Sequence, residues 1–165
     1  HDPKLVHVLN GGLKKWIREK KEVTTNLPKI KFSSYRAFEK KELVKSKDLI
    51  DKNIQLQKFK VIDARSKERF KGKVPEPRKG LRSGSIQNSF CIPFGCCLNE
   101  DKTFKNIDEL KNVFKLCLEN INQKDIVFSC GSGVTACVLA LAYSLINDKY
   151  HPIIYDGSWA EYGMI

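Results

Sequence analysis

The sequence lacks the features that mark membrane spans, metal centres and cofactor sites. Its longest apolar stretch, residues 134–146, is interrupted by polar residues and is too short to cross a bilayer. No positively charged and then apolar leader precedes it. The chain has no C-x-x-C pair, and its three histidines lie far from its cysteines in sequence. These absences predict a protein without a membrane segment, a metal or another cofactor.

The six cysteines do not have the spacing of a small disulfide scaffold, and Cys96 and Cys97 are adjacent. We therefore expect free thiols in a reduced compartment, either the cytoplasm or the mitochondrion. The chain begins at His1 and not at a methionine, so a targeting peptide or a longer segment could precede it. The adjacent pair could serve as relay or redox-sensing thiols, although incidental cysteines are the more common case.

The length of 165 residues fits one domain of ordinary size. Short apolar runs bounded by turn residues predict strands at 59–63, 126–129 and 153–155. Capping residues and apolar periodicity predict helices from Ser46 to Asn53, from Ser66, from Asn106 to about Glu119, and at 134–146. This alternation predicts an α/β fold, a doubly wound parallel sheet with helices on both faces.

The most informative segment reads I-V-F-S-C-G-S-G-V-T-A and places Cys130 between a buried strand and an apolar helix. A strand, a glycine loop and a helix direct several N–H groups and a helix N-terminus at one point, which favours negative charge there. Gly131 and Gly133 allow the backbone to curl around the sulfur, while Ser132 and Thr135 offer hydroxyl donors. We predict that Cys130 ionises readily and acts as a nucleophile. A buried structural cysteine is the alternative.

The loop C-G-S-G-V-T-A resembles the active-site loop of the 3-mercaptopyruvate sulfurtransferases, a branch of the rhodanese superfamily. Upstream, V-I-D-A-R followed by R-F-K-G and P-E-P-R, within residues 61–78, is similar to a second motif of that family. Downstream, Y-D-G-S-W-A-E-Y at residues 155–162 is similar to its closing motif. The motifs stand in the family's order, and the chain from about Tyr35 to its end resembles the C-terminal, catalytic domain of these enzymes.

The resemblance implies a rhodanese-like fold and a persulfide on Cys130 that carries sulfur from 3-mercaptopyruvate to a nucleophilic acceptor, with release of pyruvate. It assigns Gly131, Gly133, Val134 and Thr135 to the active-site loop. The acceptor is expected to be a thiol, such as that of thioredoxin.

The resemblance also assigns Arg69 and Arg78 to the substrate's carboxylate and carbonyl. Arginine suits this task because its planar guanidinium binds carboxylates in a bidentate manner. Asp63 and Arg65 are interpreted as structural residues that brace the strand end beneath the loop.

Ser132 is expected to act in catalysis, since in the resembled branch this serine pairs with a histidine and an aspartate of a first domain. The neutral pair Gly131 and Ser132 differs from the Arg-Lys pair typical of thiosulfate-using rhodaneses, which favours mercaptopyruvate. A thiosulfate sulfurtransferase and a non-catalytic sulfur carrier or binding module stay open as alternatives. A phosphatase of the same superfamily would need a larger loop ending in arginine, where this chain has Ala136.

The first residues carry a repeat, because residues 8–16 align without gaps with residues 154–162. Both segments read as an apolar strand, an Asn/Asp-Gly turn and the start of an aromatic-bearing helix. We therefore expect residues 1–21 to be the strand and helix that end a preceding rhodanese-like domain, 22–33 to be a linker, and 34–165 to be the catalytic domain. The preceding domain would then be a separate partner. The alternative is that this segment simply packs onto the remaining domain.

The chain departs from the family in one turn, where G-S-I-Q-N-S-F-C-I-P-F replaces G-H-I-P-G-x-x-N-I-P-F. Loss of the proline and glycine should loosen this turn, and Asn88 can partly replace them because it tolerates left-handed backbone angles.

The net charge of +11 comes chiefly from scattered lysines with interleaved glutamates. Such a pattern is typical of a solvated surface, although it also attracts acidic proteins or nucleic acid. A tRNA-thiolation partner is one option that the resemblance raises, and the chain has none of the usual nucleic-acid-binding motifs.

Overall fold

A computed structural model of the chain describes residues 5–118 and 126–165. A four-stranded parallel sheet lies at its centre. The strands are β1 (Lys60–Asp63), β2 (Phe90–Cys91), β3 (Ile126–Ser129) and β4 (Ile153–Ile154). The helices are α1 (Gly12–Arg18), α2 (Lys47–Leu56), α3 (Lys67–Phe70), α4 (Ile107–Leu118), α5 (Val134–Ser144) and α6 (Ser158–Tyr162). Short 3₁₀ helices occupy Lys41–Leu43 and Phe94–Cys97. No helix within the described residues is long and apolar enough to span a membrane.

The strands lie in the order β2-β1-β3-β4, and all neighbours are parallel. Asp63 at the end of β1 lies opposite Ser129 at the end of β3. The chain passes from β1 to β2 on one side and then crosses to β3 on the other. In open α/β sheets, ligands bind beyond the carboxyl ends of the strands at such a reversal. The loops that follow β1 and β3 therefore converge on the expected ligand position.

Both faces of the sheet are covered, as predicted. Ile62 and Phe128 point to one face and are packed in a core with residues of α4 and α5. Val61 and Val127, one position away in each strand, point to the other face and pack with residues of α2 and α6. All four side chains are buried, as the near-continuous apolar runs of two-sided strands require.

The strands and helices predicted between residues 46 and 155 are confirmed with small shifts of their ends. α2 extends three residues beyond its predicted end and stops where Gln57 adopts a left-handed φ of 45°. Ser66 caps α3, its hydroxyl accepting a hydrogen bond from the Arg69 N–H, whereas the side chain of Ser46 makes no such bond before α2. The predicted end of α4 at Glu119 lies outside the described residues.

The altered turn before β2 uses the left-handed asparagine that the sequence suggests. Asn88 has a φ of 61°, and its side-chain amide donates to the carbonyl of Ile54 at 3.0 Å. The Ser89 N–H also donates to the carbonyl of Ile86 at 3.2 Å. The turn is therefore closed without the proline and second glycine of the resembled motif.

The helix predicted near the N-terminus is present as α1, but the strand predicted before it is not formed. Residues 6–9 pair with none of the strands β1 to β4. Polar contacts join the segment to the rest of the chain. Asn10 accepts a hydrogen bond from the Phe104 N–H at 2.9 Å, and Lys15 forms an ion pair with Asp101 at 3.2 Å.

Candidate active site

Cys130 follows β3 directly and lies at the edge of a cavity of about 230 Å³. The residue is only 2% exposed. Its sulfur is therefore recessed and approached through the cavity. The predicted site residues that line the cavity are Arg69, Arg78, Cys130, Gly131, Ser132, Val134 and Thr135.

Hydrogen-bond donors of the loop surround the sulfur of Cys130. The Ser132 N–H donates to Sγ at 3.4 Å. Burial alone would raise the pKa of the Cys130 thiol, but hydrogen bonds from the Thr135 hydroxyl and from the N–H groups of Ser132, Ala136 and Thr135 outweigh burial and lower this pKa below its ordinary value. The loop thus stabilises the thiolate, which is the nucleophilic form of cysteine.

Gly133 is required by the shape of the loop, although it does not line the cavity. It has a φ of 79° and stands immediately before α5. A Cβ at this position would lie 2.7 Å from Oδ1 of Asp156. Both the left-handed backbone and the close approach of Asp156 exclude a larger residue here without strain.

The closing motif holds the loop from the opposite side. The N–H groups of Trp159 and Ala160, in α6, donate to the carbonyls of Cys130 and Gly131, each at 2.9 Å. Oγ of Ser158 accepts hydrogen bonds from the N–H of Cys130 at 3.0 Å and from that of Gly133 at 3.1 Å. This role of Ser158 was not identified from the sequence, where the available signal was a small polar residue beginning a helix just after the last strand.

Arg69 forms one wall of the cavity and is oriented by a buried carboxylate. Its Nε and Nη2 donate to Glu76 at 3.2 and 2.5 Å. Glu76 also accepts a hydrogen bond from Nη1 of Arg65 at 2.8 Å. A Cβ on Gly131 would lie 3.0 Å from Nη2 of Arg69, so the guanidinium occupies the space that a side chain at position 131 would need. Glu76 belongs to the P-E-P-R motif, but the sequence does not reveal this orienting contact.

Arg65 lies beneath the site and does not line the cavity. Its guanidinium is fully buried and bonds to Asp63 at 2.7 Å, to Glu76 and to the Gly84 carbonyl. These contacts use its donors on protein groups, which supports the structural interpretation of Asp63 and Arg65.

Arg78 lies on the cavity with an exposed side chain. It forms no ion pair with the residues that the structure describes. Its guanidinium is therefore available to an anionic ligand. The cavity wall carries Arg69 and Arg78 with one carboxylate, that of Glu76, so its formal charge is net positive.

Cys97 and Cys137 differ from Cys130 in the pKa of their thiols. Burial is the main cause that raises the pKa of the Cys97 thiol to about 12. Burial also raises the pKa of Cys137, together with the neighbouring Cys130 and Asp156. None of the five cysteines described with their side chains is in a disulfide, and no metal-binding cluster occurs within the described residues.

Comparison with known proteins finds one matching family description and several similar sulfurtransferases. The family description "Rhodanese-like domain" matches residues 46–164. Human 3-mercaptopyruvate sulfurtransferase is 35% identical over 159 residues, which are 96% of this chain and 53% of that protein. Rat thiosulfate sulfurtransferase is 35% identical over 158 residues, 95% of this chain and 52% of that protein. The chain spans about half the length of the curated relatives it matches.

A solved structure agrees with these matches. The crystal structure of SseA from Escherichia coli, described as a 3-mercaptopyruvate sulfotransferase with the rhodanese fold, superposes with a TM-score of 0.68 at 32% identity. The superposition covers 91% of this chain and 55% of that one. The family match over most of the chain, the parallel sheet and the cysteine loop lead to one conclusion: this chain belongs to the family of rhodanese-like domains.

Proposed function

We propose that this chain is the sulfur-transferring domain of a 3-mercaptopyruvate sulfurtransferase and that Cys130 carries the sulfur as a persulfide. One observation carries the proposal. A cysteine with a lowered pKa lies on a cavity that also contains two arginines, one of them without an ion-pair partner among the described residues. An activated sulfur beside an electropositive wall suits a sulfur donor that carries a carboxylate.

The first half-reaction begins with attack of the Cys130 thiolate on the sulfur of 3-mercaptopyruvate. A new S–S bond forms, the C–S bond breaks, and its electron pair passes to the carbon as the enolate of pyruvate. Protonation of the enolate then gives pyruvate. The persulfide left on Cys130 is anionic, so the same N–H groups that stabilise the thiolate stabilise this intermediate.

The second half-reaction removes the outer sulfur. A nucleophilic acceptor, such as the thiolate of thioredoxin or of a small thiol, attacks the outer sulfur, and the Cys130 thiolate leaves. The acceptor gains the sulfur, and the enzyme returns to its starting state. We propose a reduced compartment, cytoplasmic or mitochondrial, because the cycle requires a free thiolate. A partner in tRNA thiolation is one acceptor that the basic surface would allow.

The residue at position 131 supports mercaptopyruvate as the donor. Gly131 and Ser132 leave the loop uncharged, and the Arg69 guanidinium fills the space above Gly131. Positive charge is thus contributed by the cavity wall and not by the loop, which suits a donor that carries its carboxylate away from the transferred sulfur. Thiosulfate is the second candidate donor, because relatives named for each donor are equally similar to this chain.

We further propose that residues 1–21 end a preceding domain and that 22–33 form the linker to the catalytic domain, 34–165. α1 begins at Gly12 and α6 at Ser158, which are aligned positions, and both have left-handed φ values, 63° and 49°. Leu13 is 62% exposed, whereas the aligned Trp159 is 1% exposed in the core. An exposed leucine at a position that is buried in the second copy supports a missing partner for the first.

Ser132 lines the cavity, and its hydroxyl makes no hydrogen bond with the described residues. We propose that it acts with acid–base groups of the preceding domain, as the family resemblance implies, to assist protonation of the enolate.

The experiment that tests this proposal compares donors in two arginine variants. Arg69→Ala and Arg78→Ala should each raise KM for mercaptopyruvate by about tenfold or more, because a charged hydrogen bond to the carboxylate contributes about 1.5–3 kcal/mol. KM for thiosulfate should rise much less. Pyruvate release and thiocyanate formation report the two reactions.

Lys79→Ala is the matched control, because it removes an exposed positive charge next to Arg78. It should leave both KM values close to those of the unchanged protein. Equal rises for the two donors in the arginine variants would contradict the carboxylate assignment.

A further inference from the structure

Ser158 has a backbone conformation that its side chain makes costly. It is fully buried and has a φ of 49°, in the left-handed region. A non-glycine residue in this region is strained by about 1 kcal/mol or more. Glycine would adopt the same φ without strain, as Gly12 does at the aligned position of α1. The serine side chain must therefore contribute an interaction that offsets this strain.

The contacts of the hydroxyl identify that interaction. Oγ accepts hydrogen bonds from the N–H groups of Cys130 and Gly133, and it donates to the carbonyl of Tyr155 at 2.8 Å. Oγ of Ser129 lies 3.4 Å away as a further neighbour. One oxygen thus joins both ends of the loop 130–133 to the end of β4. All its ordinary hydrogen-bonding capacity is used within the protein.

These contacts divide the loop N–H groups into two sets. The N–H groups of Cys130 and Gly133 are directed to Ser158, away from the sulfur. The N–H groups of Ser132, Thr135 and Ala136 are left to bond the sulfur. Without the hydroxyl, two buried N–H groups would lose their acceptor, and each lost partner in a buried site costs about 1–3 kcal/mol. The loop would then rearrange to satisfy them.

We propose that Ser158 is a positioning residue for sulfur transfer, whose hydroxyl fixes the loop in the shape in which its free N–H groups converge on the sulfur of Cys130. The part of this inference that concerns the persulfide rests on the proposed function. The part that concerns the thiolate does not.

A pH profile of Cys130 reports this role, provided the other charges near it stay constant. Those charges and titratable groups come from three elements: Arg69, Glu76 and Arg78 on the cavity wall, Cys137 on α5, and Asp156 in the turn before α6. A substitution at Ser158 changes none of these side chains. A shift in the profile would therefore report the loop.

The test uses Ser158→Gly and Ser158→Ala in the full chain. Both remove the hydroxyl, but only the glycine also removes the backbone strain. The rate at which iodoacetamide labels Cys130 is followed against pH by peptide mass analysis. In both variants the midpoint should rise by about one pH unit, so that labelling near neutral pH slows by about tenfold.

Cys97 provides an internal control for folding. It is fully buried, so it should stay unlabelled in any variant that remains folded. A Ser158→Gly profile that matches the unchanged protein, with Cys97 protected, would overturn the inference. A rise confined to Ser158→Ala would do the same, because it would assign the effect to backbone strain.

The outcome is separable from that of the proposed function, because alkylation uses no sulfur donor. A shifted Ser158→Gly profile in a protein that accepts sulfur from no donor would support the positioning role while contradicting sulfurtransferase activity. Normal sulfur loading together with an unshifted profile would contradict the positioning role alone.

Discussion

Cys130 and Cys97 are both buried in the same hydrophobic core, yet the pKa values of their thiols are shifted in opposite directions. Burial raises the pKa of Cys97 to about 12, and no hydrogen bond opposes it there. Burial acts on the pKa of Cys130 in the same sense, but the hydroxyl of Thr135 and three N–H groups reverse the result. Burial therefore does not decide which of the two cysteines becomes a nucleophile. The backbone conformation around the sulfur decides it.

The backbone explains why the two regions differ. After Cys130, Gly133 takes a left-handed φ and α5 begins at once, which brings successive N–H groups to one side of the sulfur. Cys97 instead ends a 3₁₀ helix, Phe94–Cys97, in which the available N–H groups bond to nearby carbonyls.

The largest effect should come from removing each cysteine. Cys130→Ala should abolish the gain of sulfur after incubation with 3-mercaptopyruvate, because the nucleophile is lost. Cys97→Ala should retain it and lose only about 1 kcal/mol of stability through the small cavity left in the core. Intact-mass analysis and denaturant unfolding measure the two outcomes. If both variants failed to gain sulfur while their stability was unchanged, the distinction between the two cysteines would be wrong.

A smaller effect should come from substituting the glycine of each region. Gly133→Ala should destabilise the chain by about 1–3 kcal/mol, because its φ is left-handed and the new Cβ would lie 2.7 Å from Asp156. Gly95→Ala is the matched control in the 3₁₀ helix of Cys97, where φ is not left-handed and nothing lies within 4 Å of the new Cβ. Thermal unfolding should separate the two variants clearly. Equal melting temperatures would show that the loop tolerates a side chain at position 133.

A further effect, confined to part of the pH range, should appear in the pH dependence of stability. Cys97 has a folded-state pKa of about 12, above its ordinary value of 9.0, so its contribution is complete below pH 9 and is lost as the pH rises to about 12. The pKa of Cys130 is lowered, so its contribution is complete above pH 9 and is lost as the pH falls through its folded-state value. The urea midpoints of Cys97→Ala and Cys130→Ala are each compared with that of the unchanged chain on both sides of pH 9. As the pH rises, the unchanged chain should lose stability relative to Cys97→Ala above pH 9 and gain stability relative to Cys130→Ala below pH 9. Parallel curves would contradict the opposite shifts.

Much of the site could be predicted because its signals are local. The apolar run of β3, the glycines after Cys130 and the start of the apolar helix that follows lie within eleven residues, and local pattern is enough to interpret them. The same holds for Ser66, whose capping partner is three residues away.

What could not be predicted depends on contacts between distant residues. Ser158 meets a loop that lies 28 residues earlier in the sequence. Glu76 orients Arg69 and at the same time bonds to the buried Arg65. β2 has two residues and exists only because it pairs with β1, so no local pattern marks it. The strand expected before α1 failed for the converse reason, since it has an apolar pattern but no neighbour in the sheet.

The proposed function requires Cys130 to carry the sulfur. The most direct measurement is peptide-resolved mass analysis of the unchanged chain after incubation with 3-mercaptopyruvate and, separately, with thiosulfate. After incubation with the donor, we expect one additional sulfur on Cys130, which a reducing thiol removes, and we expect Cys97 to be unmodified. No additional sulfur with either donor, in protein whose Cys130 is alkylated at neutral pH, would contradict it.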